Sequence, residues 1–156
     1  MWLNHFGKPL RTVIEVLSDD IEFTPATLGV VRTFAQSHPW AGSLISRKKK
    51  FRKLHHTLAQ AEGVAMPELR FGRLNGASSG RSYYEPGRHR IVLVGKLSVV
   101  TYLHEFAHSR GMGEQGACRW SINLFRRCFP KQFGKLIHVG HTLVRPSQIG
   151  EMKVAR

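Results

Sequence analysis

The stretch Leu103-His104-Glu105-Phe106-Ala107-His108 decides how the rest of the chain is read. It has the form H-E-x-x-H. Residues four apart lie one turn from each other on the same face of an α-helix, so His104 and His108 can direct two imidazole nitrogens to one tetrahedral metal. Glu105 stands next to the first of them and can polarise a water in the same cleft. Outward from the motif, Val99, Val100, Leu103 and Ala107 form an apolar stripe that can bury the helix against a sheet. Gly111 and Gly113 then stop it, and a further carboxylate follows at Glu114. The plainer reading is a surface helix with a His-Glu-His face.

Upstream of the motif the periodicity is two. Glu68 to Leu74 alternates apolar and polar as a half-buried strand does. Residues 75–80 read as a turn or loop. Arg81 to Glu85, with Tyr83 and Tyr84, reads as a second, short strand at an edge, where an extended peptide can pair. Pro86-Gly87-Arg88-His89 makes a turn, and Arg90 to Val94 is a third, more buried strand. Further upstream the period becomes helical. Leu10, Val13, Ile14 and Leu17 are spaced for a short amphipathic helix. Thr24-Pro25 reads as an N-cap and first helical residue, and that helix closes at His38-Pro39. Ser43 caps another helix that runs to Gly63. Its polar side holds Arg47, Lys48, Lys49, Lys50, Arg52 and Lys53, six of seven residues in the window, with no acid to balance them. This run is the candidate phosphate-contacting patch. His55 and His56 follow it; neighbouring histidines on a helix point apart, so they do not share a metal.

Downstream, residues 114–129 form an amphipathic helix ended by Phe129-Pro130. Phe133 to Val144 is apolar and can cover the core. Residues 145–156 read as a basic tail. The expected organisation is one α+β domain over residues 1–144, with a helical part at 1–63, a small and mostly antiparallel sheet, and the motif helix followed by a second helix.

Composition limits the classes available. The 156 residues are 42% hydrophobic, as a chain with a proper core is. No run reaches the ~20 apolar residues of a membrane span, and no signal peptide is read at the N-terminus. Cys118 and Cys128 fall ten apart on one expected helix, too far to bond each other there. Free thiols in a reducing cytoplasm are the simplest account. Lysine and arginine number 24 against 10 acids, a formal charge of +14. Such a surface attracts polyanions, nucleic acid among them.

Taken together, helices, a small sheet ending in Ile91–Val94 and a helix carrying His104-Glu105-x-x-His108 resemble the zincin metallopeptidases over roughly residues 50–130. The nearest flavour is the small intracellular SprT-like and ImmA/IrrE-like branch, whose helical part passes through a loop like Ala65–Leu69 into the sheet. The resemblance implies a zincin-like fold with one Zn2+ per chain, a protein or peptide substrate, and Glu105 as general base toward the metal-activated water. For the third ligand, His104 to Glu114 reads H-E-x-x-H-x-x-G-x-x-E. It is similar to the extended metzincin signature with glutamate in place of the last histidine. It is also similar to a gluzincin site, with a glutamate on the following helix at unusually short spacing. Both name Glu114. His138 and His141 are rivals for that position. They are also candidates for stabilising the oxyanion, together with Tyr83, Tyr84, Tyr102 and Arg110. Cys118, four residues past Glu114, can approach the same site. Two other classes stay open: a DNA-binding or antirestriction-type accessory protein of a phage or mobile element, with a non-catalytic metal site, and a pseudo-protease or toxin-immunity module that keeps the fold and binds a partner.

Overall fold

The computed structural model describes Leu17, residues 20–72, 82–95 and 97–135, and the backbone of 137–139 and 142–144. The expected helix over residues 10–17, the loop at 75–80, Arg81, His141 and the tail lie outside the described residues, apart from Leu17, whose partly buried side chain packs on the core.

Two helices open the described part. α1 (Pro25–Gln36) starts where Thr24 accepts a hydrogen bond from the Thr27 backbone N–H and Pro25 occupies the first turn. α2 (Leu44–Glu62) starts with Ser43 accepting from the Ser46 N–H and ends at Gly63, whose φ of 64° is the left-handed conformation that favours glycine. The two pack as a hairpin through Val31 and Phe34 against Phe51, Leu54 and Leu58. The Phe34 and Phe51 rings meet edge to face at 5.1 Å.

The sheet that follows has the order β1-β3-β2: β1 (Glu68–Gly72), β3 (Arg90–Val94) and β2 (Tyr83–Glu85). β1 runs parallel to β3 over five residue pairs, while β2 runs antiparallel to β3 over three. A second pair, β4 (Ile137–Val139) with β5 (Thr142–Val144), is antiparallel. The architecture is therefore α+β, as expected, but the longest ladder is parallel. Sequence neighbours β1 and β2 are not paired with each other; they are the two opposite edges, with β3 between them. Glu68, Arg90 and Glu85 sit in register across all three strands, and Arg90 bridges both acids at 3.0 and 3.8 Å.

α3 (Val99–Ser109) and α4 (Glu114–Cys128) complete the core. The stripe expected on α3 is wider than Val100, Leu103 and Ala107: Tyr102 and Phe106 are buried with them. Tyr102 lies on the side of α3 that meets α2, where its hydroxyl reaches His55 Nδ1 at 2.7 Å. From α4, Ala117, Trp120, Leu124 and Phe125 close the interior, and the Phe106 and Trp120 rings stack at 6.0 Å. Proline does end α4 at Phe129, and Pro130 then opens a one-turn helix α5 (Pro130–Phe133). Cys118 and Cys128 are both buried, and neither is in a disulfide. No helix among the described residues is long and apolar enough to cross a membrane.

Candidate metal centre

α3 presents His104 and His108 on one face, as i, i+4 spacing requires. Their rings are nearly perpendicular, with centroids 4.6 Å apart and Nε2 atoms 3.0 Å apart. What brings Glu114 to them is the turn after α3. Arg110 caps the helix, Gly111 takes φ +88°, and the chain reverses. The Met112 N–H donates to the Ala107 carbonyl and the Gly111 N–H to the His108 carbonyl, which is a Schellman closure. Glycine takes that positive φ without the strain another residue would carry at 111. Gly113 then leads into α4, whose first residue is Glu114, a favourable place for a carboxylate at a helix N-terminus.

The three side chains meet on a small triangle. Glu114 Oε1 lies 2.9 Å from His104 Nε2, and Glu114 Oε2 lies 3.0 Å from His108 Nε2. Three donor atoms each about 2.1 Å from one tetrahedral ion stand about 3.4 Å from each other. The two Nε2 atoms meet one carboxylate, each through a different oxygen, at separations a few tenths of an ångström below that, so these residues could hold a metal ion. The histidines also carry outer partners. His108 Nδ1–H donates to the Met112 carbonyl at 2.9 Å, which leaves the Nε2 lone pair facing the triangle. His104 Nδ1 lies 3.7 Å from Cys118 Sγ, and that thiol lies 3.9 Å from Glu114 Oε1. His104, Glu114 and Cys118 form a second, looser ligand group. The His104–His108–Glu114 set is the tighter one and aims both Nε2 atoms at one point. Burial, and then Glu114, push the Cys118 thiol up to about 12.

Glu105 sits beside the triangle and is only 8% exposed. Burial pushes its carboxyl up to about 7. His108 works against that, Glu114 adds to it, and a hydrogen bond from the Tyr84 backbone on β2 works against it. A carboxyl held near neutrality is matched to taking and returning a proton at physiological pH. The cleft in front of it is about 640 Å3, walled by Ser82, Tyr83 and Tyr84 of the β2 edge on one side and Met112 to Glu114 on the other.

The other sequence candidates divide. Tyr83 lines the cleft and is exposed. Tyr84 also lines it, but its hydroxyl is bonded to His89 Nδ1 at 2.7 Å. Tyr102 is fully buried against His55, away from the cleft. Arg110 is held by Glu62 at 2.7 Å. His138 lies on β4, paired with Leu143 in register, and its side chain is outside the described residues, as is His141. The basic run on α2 is split by function. Arg47 donates to the Pro39 and Leu97 carbonyls, and Lys50 to those of His38 and Ala41. Lys48 and Arg52 lie over the Phe71 ring at 5.4 and 4.9 Å. Lys49 and Lys53 point outward from the same helix and are exposed.

The Met112 carbonyl and the Tyr84 backbone N–H are the site groups that sequence reasoning misses. Every residue carries them, so no motif marks them; the glycine at 111 is the only hint that the backbone folds back there. No family model, no curated protein and no solved structure matches the chain.

Proposed function

We propose that the chain is a zinc-dependent metallopeptidase whose ligands are His104, His108 and Glu114 and whose general base is Glu105. The observation that carries this reading is the convergence of two Nε2 atoms and one carboxylate at 2.9–3.0 Å, with the buried Glu105 carboxyl next to it. A zinc ion held there supplies Lewis acidity and brings the pKa of a water from about 15.7 to about 7.

The chain's own residues do the remaining work. Glu105 accepts the proton of the attacking water and returns it to the leaving amine, the role for which burial has tuned it. The Tyr84 backbone N–H holds that carboxylate against β2. Among the described residues β2 is an edge strand with Tyr83 exposed on it, a place where an extended peptide can lie alongside. A closed structural site needs four protein ligands and no carboxyl poised near 7. Glu105 beside the ligands, which a purely structural site does not need, favours catalysis over a structural ion.

The test is metal content and peptidase activity of purified wild type, Glu114→Ala and Glu105→Gln. Expected are about one zinc per chain in wild type and in Glu105→Gln, and much less in Glu114→Ala. Glu105→Gln should lose about 10²- to 10⁴-fold in activity. Wild type without metal affinity would overturn the reading. Zinc unchanged in Glu114→Ala would move the third ligand elsewhere.

A further inference from the structure

No aspartate or glutamate occurs between Glu22 and Glu62, although that span carries seven lysines and arginines. It contains the whole α1–α2 hairpin. With 100° per residue, Lys48, Lys49, Arg52 and Lys53 fall on one side of α2, opposite the buried Phe51, Leu54 and Leu58. None of these four cations makes an ion pair among the described residues. At the N-terminal end of the same strip the surface turns apolar. Trp40, Leu44 and Ile45 are 46%, 52% and 71% exposed. These are three of the five large hydrophobic residues that are exposed among the described residues. The other two, Met66 and Tyr83, are far along the chain from this corner.

We propose that this corner docks on an anionic lipid surface. Trp40, Leu44 and Ile45 enter the headgroup layer, and the four cations lie along the phosphates. The apolar tip chooses among polyanions. A nucleic-acid backbone gains little from two exposed aliphatic side chains, whereas a lipid interface buries them and favours a tryptophan at the headgroup level. Lys48 and Arg52 stretch over Phe71, and Arg47 and Lys50 fasten the turn that carries Trp40, so the tip is held in a fixed place. Trp40 packs on Phe129 at the C-terminal end of α4, while Glu114 stands at the other end. Fifteen residues of α-helix span about 22 Å. A docked molecule therefore holds the metal triangle well away from the lipid, with its cleft free for a substrate. The proposal does not depend on the peptidase reading.

The experiment is co-sedimentation of the full chain with vesicles of phosphatidylcholine alone and of phosphatidylcholine mixed with phosphatidylglycerol, at low and high salt. Binding is expected only to the anionic vesicles, and weaker at high salt. Ile45→Ser should weaken it about tenfold. Lys49→Gln and Lys53→Gln should weaken it by roughly fivefold each. All three sites are exposed and none lines the cleft, so zinc content and thermal melting should not change. No binding to anionic vesicles, or binding indifferent to Ile45→Ser, overturns the proposal. So does tighter, Ile45-independent binding to a single- or double-stranded oligonucleotide that displaces the vesicles, which would assign the strip to nucleic acid.

Discussion

Two helices of this molecule carry a pair of histidines, and they use them in opposite ways. On α2, His55 and His56 are adjacent, so one points inward and the other to solvent. His55 is 3% exposed, and both its ring nitrogens are engaged, with Tyr102 Oη at 2.7 Å and the Pro67 carbonyl at 2.6 Å. Because a carbonyl only accepts, Nε2 carries the proton and Nδ1 accepts from the tyrosine. On α3, His104 and His108 are a turn apart, less deeply buried, and each keeps Nε2 for a shared point opposite a carboxylate. Burial alone does not distinguish a structural histidine from a candidate ligand. What distinguishes them is whether the ring nitrogens end on neutral partners or converge on one another.

The comparison breaks most sharply at the metal. His104→Ala should lower zinc affinity by more than about 100-fold, beyond the loss typical of an outer partner. His55→Gln should leave zinc content unchanged, as read by equilibrium metal titration of both variants. Equal loss of zinc in the two would erase the distinction. The next effect is on folding. Tyr102→Phe removes the donor to buried His55 Nδ1 and should cost about 1–3 kcal/mol in denaturant unfolding, again without a change in zinc.

The pH dependence sharpens the same contrast. Burial first, and then neighbouring His89 and His56, lower the His55 pKa below its ordinary 6.5, against the pull of the Pro67 carbonyl. The folded state therefore binds fewer protons than the unfolded one. Its contribution is fully present above pH 6.5 and is lost as pH falls through the folded value. Glu105, raised from 4.5 to about 7, pulls the other way over that range. The clean measurement is thus stability against pH in a Glu105→Gln background, with and without His55→Gln. The steeper acid loss should belong to the chain that keeps His55. The smallest effect is Gly111→Ala. No atom lies within 4 Å of the added methyl, so only the positive φ is penalised, by about 1–2 kcal/mol. Zinc affinity should fall with it, because that turn holds both Met112 and Glu114.

Much of the fold is legible because its signals are local. Thr24-Pro25, Ser43, Gly63 and Gly111 each act on backbone groups three or four residues away, and the structure has caps or turns at all of them. The parallel β1–β3 ladder is not legible, since pairing partners more than twenty residues apart leave no periodic trace. The basic run shows another limit. Six cations in seven residues look alike in sequence, yet two of them bond loop carbonyls, two cover an aromatic ring and two face solvent. Which does which depends on where residues 38–41, 71 and 97 return in space. At the site, the motif names side chains, while the groups that orient them belong to the backbone.

The row Glu68–Arg90–Glu85 has a consequence beyond its own weak ion pairs, which at such exposure contribute little to stability. Side chains alternate along a strand, so a slip of β2 by one residue would exchange the faces of Tyr83 and Tyr84 and carry the N–H that meets Glu105 out of reach. The same slip would move Glu85 off Arg90 and set it against Ile91. The ionic row thus works as an alignment pin, with its worth measured in placement: it indexes the edge strand to the one setting in which the backbone can grip the carboxylate.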